Sequence, residues 1–126
     1  MIWEKPARPP PSERGLRVAL LFALAAHRLS AWYEHGQWLT DAQGASLAAD
    51  WLARSKNVLP LAERRRLSAL SNQFARQIAG SLSREAGLYA AHEMMEALDP
   101  NYHSELAQTM LAECENLLDG ESDAVR

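Results

Sequence analysis

Residues 16–33 read LRVALLFALAAHRLSAWY. Wound at 3.6 residues per turn, Leu16 to Tyr33 place apolar side chains on nearly every side rather than along one stripe, and a helix that is apolar all round belongs in the middle of others. Arg14, Arg17 and Arg28 fall together on one stripe of it. Gly36 supplies the stop, glycine being the residue that most readily takes the left-handed turn after a helix. The most apolar portion, Val18 to Ala26, is far short of the ~20 residues that span a bilayer. Arg8, Arg14 and Arg17 before it and Ala23-Leu24-Ala25 at its end imitate a secretory signal. Glu4 and Glu13, however, stand in the region such a signal needs positive. The run is therefore read as a core helix, with no membrane span and a cytoplasmic location expected.

Around this helix the remaining chain supplies others. Thr40 or Asp41 is placed to cap a second helix whose Leu47, Ala48, Trp51 and Leu52 form one face. Pro60 opens a third, with Leu67, Leu70, Phe74, Ile78 and Leu82 recurring at three-and-four spacing. Gly80 and Gly87 would each cost about 1 kcal/mol relative to alanine inside a helix, so a break is expected between Gly80 and Ser83; one long bent helix is the competing reading. A fourth helix is expected to turn Leu88, Ala91, Met95 and Leu98 inward. Asp99-Pro100 reads as an N-cap followed by proline at the first position, restarting the chain as a fifth helix. Leu106, Ala107, Met110, Leu111, Cys114, Leu117 and Leu118 are its stripe, and Gly120 is its expected end. No stretch alternates as a strand does.

The expected architecture is all-α, a single-domain bundle of about five helices. It consists of a proline-rich arm (1–11, with Pro6, Pro9, Pro10 and Pro11), a helical domain (12–120) and an acidic tail (121–126). A length of 126 residues suits one core, and 48% hydrophobic with 23% charged residues is too apolar for a disordered chain. The arm carries Ile2 and Trp3, which gain by burial, so it is expected to dock on its own domain or on a neighbouring chain. One cysteine, Cys114, precludes an intramolecular disulfide framework and points to a reducing compartment. Its apolar neighbours make it a buried, inert thiol.

Charge is unevenly distributed. Residues 53–84 hold seven Lys and Arg against one acidic residue, whereas residues 85–126 hold one against ten, within a net charge of −3. On the third helix Arg65, Arg66, Asn72, Gln73, Arg76, Gln77 and Arg84 occupy little more than a third of the circumference, opposite Leu67, Phe74 and Ile78. Guanidinium forks and amides suit phosphate oxygens and base edges, which makes a nucleic-acid-binding face one reading. No aromatic residue interleaves these arginines on that face for base stacking, and no helix-turn-helix pattern follows. A solvated face, or one paired with an acidic helix, accounts for the same pattern. Glu113, Glu115 and Asp119 sit near the expected end of the fifth helix, where the dipole disfavours negative charge by ~0.3–1 kcal/mol each. A positive surface opposite them would explain that placement.

Chemistry-bearing constellations are few. His92 and Glu96 lie at i and i+4 and could ligate a metal, with His103 as a third ligand, but H-E-x-x-H lacks its second histidine here and a plain surface pair is preferred. Ser46 in GASLA resembles a nucleophile elbow without its strand or second glycine. No phosphate-cradling glycine loop is present. An enzyme and a bound cofactor or metal are therefore not expected. Trp32, Tyr33, Trp38 and Trp51 gather around the first inter-helix turn, and Trp3 could complete an aromatic patch of the kind used in binding. Met94, Met95 and Met110 offer adaptable apolar surface. The function expected is thus a non-enzymatic one: binding a protein partner or a second copy through Trp3, Trp32, Tyr33, Trp38, Trp51, Glu113 and Glu115. The alternative is a nucleic-acid accessory role through Arg65, Arg66, Gln73, Arg76, Gln77 and Arg84.

Overall fold

The computed structural model describes residues 12–99, 101–102 and 104–124, the last four of them by backbone alone. Five helices follow one another: α1 (Glu13–His35), α2 (Asp41–Arg54), α3 (Leu61–Ser81), α4 (Arg84–Glu96) and α5 (Glu105–Ala124). Among the described residues there is no strand, so the class is all-α. The expected docking of Ile2 and Trp3 lies outside the described residues.

α1 is the axis of the bundle and packs against each of the other four. Every residue from Leu20 to Ala26 is buried on it, as an all-round apolar helix requires. Its start is fixed by Ser12, whose Oγ accepts the Gly15 N–H at 3.0 Å, and its end by Gly36 at φ +70°. α2 opens on a reciprocal cap: the Gln43 N–H donates to Thr40 Oγ1, and the Thr40 N–H donates to Gln43 Oε1. α3 begins directly after Pro60 and breaks at Leu82-Ser83, where Ser83 Oγ takes the Ala86 N–H and starts α4. The glycine-weakened segment is thus a break rather than a bend.

α3 and α1 run side by side in the same direction. Arg17 meets Glu63 near their N-termini, and Tyr33 reaches the Ala79 carbonyl near their C-termini. α4 then descends α1 from the Tyr33 end, and α5 continues along its N-terminal half until Asp119 pairs with Arg14 at 2.7 Å. No helix among the described residues is long and apolar enough to cross a membrane.

Three sequence expectations are corrected. The inward stripe of α4 is Gly87, Ala90, Ala91 and Met94; Leu88 and Met95 are half-buried and Leu98 is 36% exposed. The Tyr33 ring causes this rotation: it lies where a Cβ on Gly87 would be, so glycine is the residue α4 must present to α1. Met94 is consequently fully buried and offers no surface. Second, α5 starts at Glu105 and not directly after Asp99: Ser104 Oγ accepts the Ala107 N–H, while Asp99 Oδ1 accepts the Asn101 N–H in the preceding turn; Pro100 lies outside the described residues. Third, Gly120 does not end α5, whose backbone stays helical to Ala124 and absorbs part of the expected tail. A glycine in a helix costs only about 1 kcal/mol, less than a well-packed helix supplies.

Two part-buried polar clusters join neighbouring elements. Glu63 on α3 holds Arg17 on α1 at 3.0 Å and Arg66 on its own helix at 3.2 Å, and hydrogen bonds from Arg17 first and Arg66 second keep its carboxyl below the ordinary range. Glu93 on α4 accepts from the Tyr102 hydroxyl at 2.8 Å, which ties the α4–α5 connection to α4 and pushes Tyr102 up to about 12. His27, half-buried on α1, is lowered from 6.5 by burial and then by the charge of Arg54. A lowered imidazole contributes stability that is complete above the unfolded-chain value and is lost as pH falls through the folded value. Urea titrations should therefore show stability declining below about pH 6.5, and His27→Gln should remove that decline while leaving the carboxylate-driven loss at lower pH.

Candidate interaction surface

The site is built where α1 ends. Trp32 occupies the last turn of α1, the left-handed Gly36 reverses the chain, and Trp38 is carried back over Trp32. Their rings stack with centroids 4.8 Å apart and planes 4° from parallel. The guanidinium of Arg76, from the C-terminal half of α3, stands over the Trp38 ring with its carbon 4.9 Å from the centroid. Its Nε donates to Asn72 Oδ1 at 3.0 Å, one turn back on the same helix, which holds the plane in place. Both tryptophans are half-buried with their inner parts against the core, and Arg76 is exposed. A cation over a half-exposed indole is worth ~0.5–1 kcal/mol and leaves guanidinium N–H groups facing solvent.

Beside the stack lies a cavity of about 440 Å³ bounded by Trp32, Tyr33, Glu34, His35, Leu82 and Arg84. Tyr33 is a wall of it rather than a contact residue, since its ring is buried against Gly87 and its hydroxyl donates to the Ala79 carbonyl at 3.5 Å. Arg84, exposed at the start of α4, brings a second cation. Gln73 and Gln77, also exposed, belong to the same half of α3. No protein-family model, curated protein or solved structure matches this chain. The surface is therefore read from its own chemistry.

The structure thus brings together Trp32, Trp38, Arg76 and Arg84, with Tyr33 behind them. It separates the others. Trp51 lies on a different groove with Phe22 and Leu111. Arg65 is 11 residues from Arg76, ~16 Å along α3, and borders Asp41 and Leu61 instead. Arg66 is held in the Glu63 cluster. Glu113 and Glu115 are mid-helix once α5 runs to Ala124, so the dipole argument for a facing positive surface no longer applies to them. Asp119, the third residue of that argument, pairs with Arg14 of α1 and not with α3. Trp3 lies outside the described residues.

His92 and Glu96 approach to 3.8 Å on the exposed face of α4, and His103 lies outside the described residues. No group of three or more metal-ligating side chains is assembled among the described residues. Cys114 is fully buried, and burial followed by the flanking Glu113 and Glu115 pushes its thiol up to about 12.

The feature missed by sequence reasoning is the anchor behind the site. Arg28 is 0% exposed, with Nε donating to Ser71 Oγ at 3.1 Å, Nη1 to the Leu39 carbonyl at 2.6 Å, and Nη2 to Ser68 Oγ at 2.8 Å and to the Ser68 carbonyl at 3.3 Å. It ties α1 to α3 and to the 36–40 connection that carries Trp38. Gly44 lets α2 approach, since a Cβ there would collide with Ser68 Oγ and come within 2.7 Å of Nη2. A signal was present: one arginine inside an apolar run, with Ser68 and Ser71 interleaved among Leu67 and Leu70 of the inward face of α3.

Proposed function

We propose that the protein is a non-enzymatic binding module that engages a protein partner through the Trp32–Trp38–Arg76 stack and the adjoining cavity. The observation that carries this reading is the stack itself: two half-exposed indoles and an exposed guanidinium, pre-ordered by a buried arginine. Trp and Arg dominate binding energy at protein interfaces, and holding them in place beforehand reduces the ordering cost of association. Arg84 adds a second cation and Glu34 an anion to the cavity rim, so the matching partner surface is apolar at its centre and carries an acidic group opposite Arg76.

The test compares wild type with Arg76→Glu, a substitution on an exposed side chain that leaves the core untouched. Partners co-purified from the native host and identified should bind the variant at least ~30-fold more weakly, the loss expected for a residue worth ~2 kcal/mol. An identified partner that binds both forms equally counts against the reading. Light scattering over a concentration series reveals whether the partner is a second copy.

The same stack also supports the nucleic-acid reading, because an aromatic platform beside Arg76, Arg84, Gln73 and Gln77 supplies the base-stacking element that the linear sequence lacks. Binding of a single-stranded oligonucleotide at about 50 mM salt, steeply weakened by added salt and lost in Arg76→Glu, would favour it over a protein partner.

A further inference from the structure

A separate pocket lies at the junction of α2 and α3, at the other end of α3 from the stack. It is built by the way α2 ends. Lys56 takes φ +57°, and the Lys56 and Asn57 N–H groups donate back to the Ala53 and Leu52 carbonyls, so the chain turns across the end of the helix. Asn57, Val58 and Leu59 are thereby laid beside Ala49, Leu52 and Ala53, and with Arg64 they enclose about 210 Å³. Leu59 is buried and holds the segment down, whereas Val58 is 89% exposed at the edge, the most exposed large hydrophobic side chain among the described residues.

The polar wall of this apolar pocket is unfinished. Arg64 Nε is shut off from solvent and donates to no acceptor, the one such buried side-chain atom among the described residues. The acid next to it in sequence, Glu63, is committed to Arg17 and Arg66. Arg54 and Lys56, both exposed, adjoin the lining residues Ala53 and Asn57, and the charge of Arg54 is felt by His27. Against these three cations stands Asp50, exposed one turn before Arg54, so positive charge is in surplus. The carbonyls that end α2 would repel an anion, but those of Trp51, Leu52 and Ala53 are occupied by donors from Ser55, Asn57 and Lys56. α3, by contrast, opens at Pro60 with no side-chain cap, which leaves the positive end of its dipole to the same junction.

We propose that this pocket binds an acidic segment of a protein partner: one aliphatic side chain fills the space between Leu52, Ala53 and Val58, and a carboxylate beside it pairs with Arg64. A guanidinium takes a carboxylate through two parallel N–H groups, and pairing relieves a donor whose isolation otherwise costs the fold. No aromatic ring lines the pocket, so it suits an aliphatic group and offers a nucleic acid no platform on which to stack a base. A second copy is disfavoured by charge, since a two-fold contact here would set Arg54, Lys56 and Arg64 against their own counterparts. The site is independent of the Trp32–Trp38–Arg76 stack, because Arg64 precedes Arg76 by 12 residues, ~18 Å along α3.

The experiment titrates the isotope-labelled full chain with an acetylated and amidated peptide, Glu-Asp-Leu-Glu-Asp, and follows it by NMR. The Nε–H signal of Arg64, assigned by its loss in Arg64→Met, and the Val58 methyl signals should shift, while the Trp32 and Trp38 indole signals stay in place. Glycine for the peptide's leucine, amides for its acids, or Val58→Asp in the protein should each weaken binding at least ~10-fold. Arg64→Met should weaken binding as much without lowering Tm, because it removes an unpaired donor and keeps most of the packing volume. A purely structural arginine would show the reverse. Equal binding of the leucine and glycine peptides, or no shift at millimolar peptide, overturns the proposal. Retention on phosphatidylserine vesicles that is lost in Val58→Asp, while the peptide causes no shift, overturns it in favour of a lipid surface.

Discussion

Arg28→Ala is expected to remove ~3–5 kcal/mol of stability, the range found when one partner of a buried charged network is deleted, read as a drop in the urea midpoint with an unchanged slope. The guanidinium is completely buried, and its four hydrogen bonds satisfy the Leu39 carbonyl, the Ser68 carbonyl and the hydroxyls of Ser68 and Ser71. Removing it leaves a cavity and takes a donor from the hydroxyls of Ser68 and Ser71 and from the part-buried Leu39 carbonyl, while the Ser68 carbonyl keeps the Ser71 hydroxyl at 2.7 Å; each orphaned buried group costs ~1–3 kcal/mol. Arg28→Lys should recover only part of the loss, because one ammonium cannot address a serine pair on α3 and a carbonyl on the 36–40 connection from a single planar fork. Asp41, 3.5 Å away but with its side chain 79% exposed, is a weak counter-charge. Asp41→Asn should therefore fall within about 0.5 kcal/mol of wild type. Were Asp41→Asn as damaging as Arg28→Ala, the ion pair and not the hydrogen-bond network would be holding the connection.

The same residue explains what could be read from the sequence and what could not. Element type was legible because it depends on local spacing: the apolar run 16–33, the Thr40 cap, Pro60 and the Gly80–Ser83 break all follow from neighbours within a turn or two. The inward face was legible for α3, whose stripe is dense, and α1, apolar nearly all round, was legible as the central helix. It was misjudged for α4 because the deciding partner, Tyr33, is 54 positions from Gly87, and a glycine that costs stability by propensity was in fact required by packing. The interaction surface was half visible. Trp32 and Trp38 are near in sequence, but Arg76 meets Trp38 only because α3 lies along α1, and Trp51 is turned away by the helical period of α2. Charge segregation by segment was legible, whereas the actual ion pairs, Arg14 with Asp119 and Arg17 with Glu63, join segments that segment-wise counting treats as separate. Both are on or near the surface and are individually worth little. α5 and α3 each make an ion pair to α1, and Arg66 of α3 borders the same pocket as Asp119 of α5.

Gly87→Ala should be strongly destabilising and Gly80→Ala mildly stabilising, although intrinsic helix propensity favours both substitutions by up to ~1 kcal/mol. Gly80 is exposed, and a Cβ placed on it would meet no heavy atom within 4 Å, so only the propensity gain and the stiffer unfolded chain remain, ~0.4–1 kcal/mol in favour of alanine. At Gly87 the new methyl group would lie inside the Tyr33 ring. That ring cannot simply slide: it is 8% exposed, and its hydroxyl reaches the Ala79 carbonyl on α3. The alternatives are to drive Tyr33 from the core or to push α4 off α1, and overpacking of this kind costs ~1–3 kcal/mol or more. A net loss of ~2 kcal/mol corresponds to a fall in Tm on the order of 10 °C for a chain of this size. The mechanism makes a sharper demand than the sign alone. Tyr33→Leu should destabilise the wild-type background by leaving the Gly87 seat empty, yet in the Gly87→Ala background it should cost much less or even restore stability, a coupling of ~1–2 kcal/mol between residues in direct contact. Additive effects would mean that α4 tolerates a side chain at Gly87 by shifting as a body. The shift of the inward face from Leu88 and Met95 to Gly87 and Met94 would then need a cause other than the Tyr33 ring.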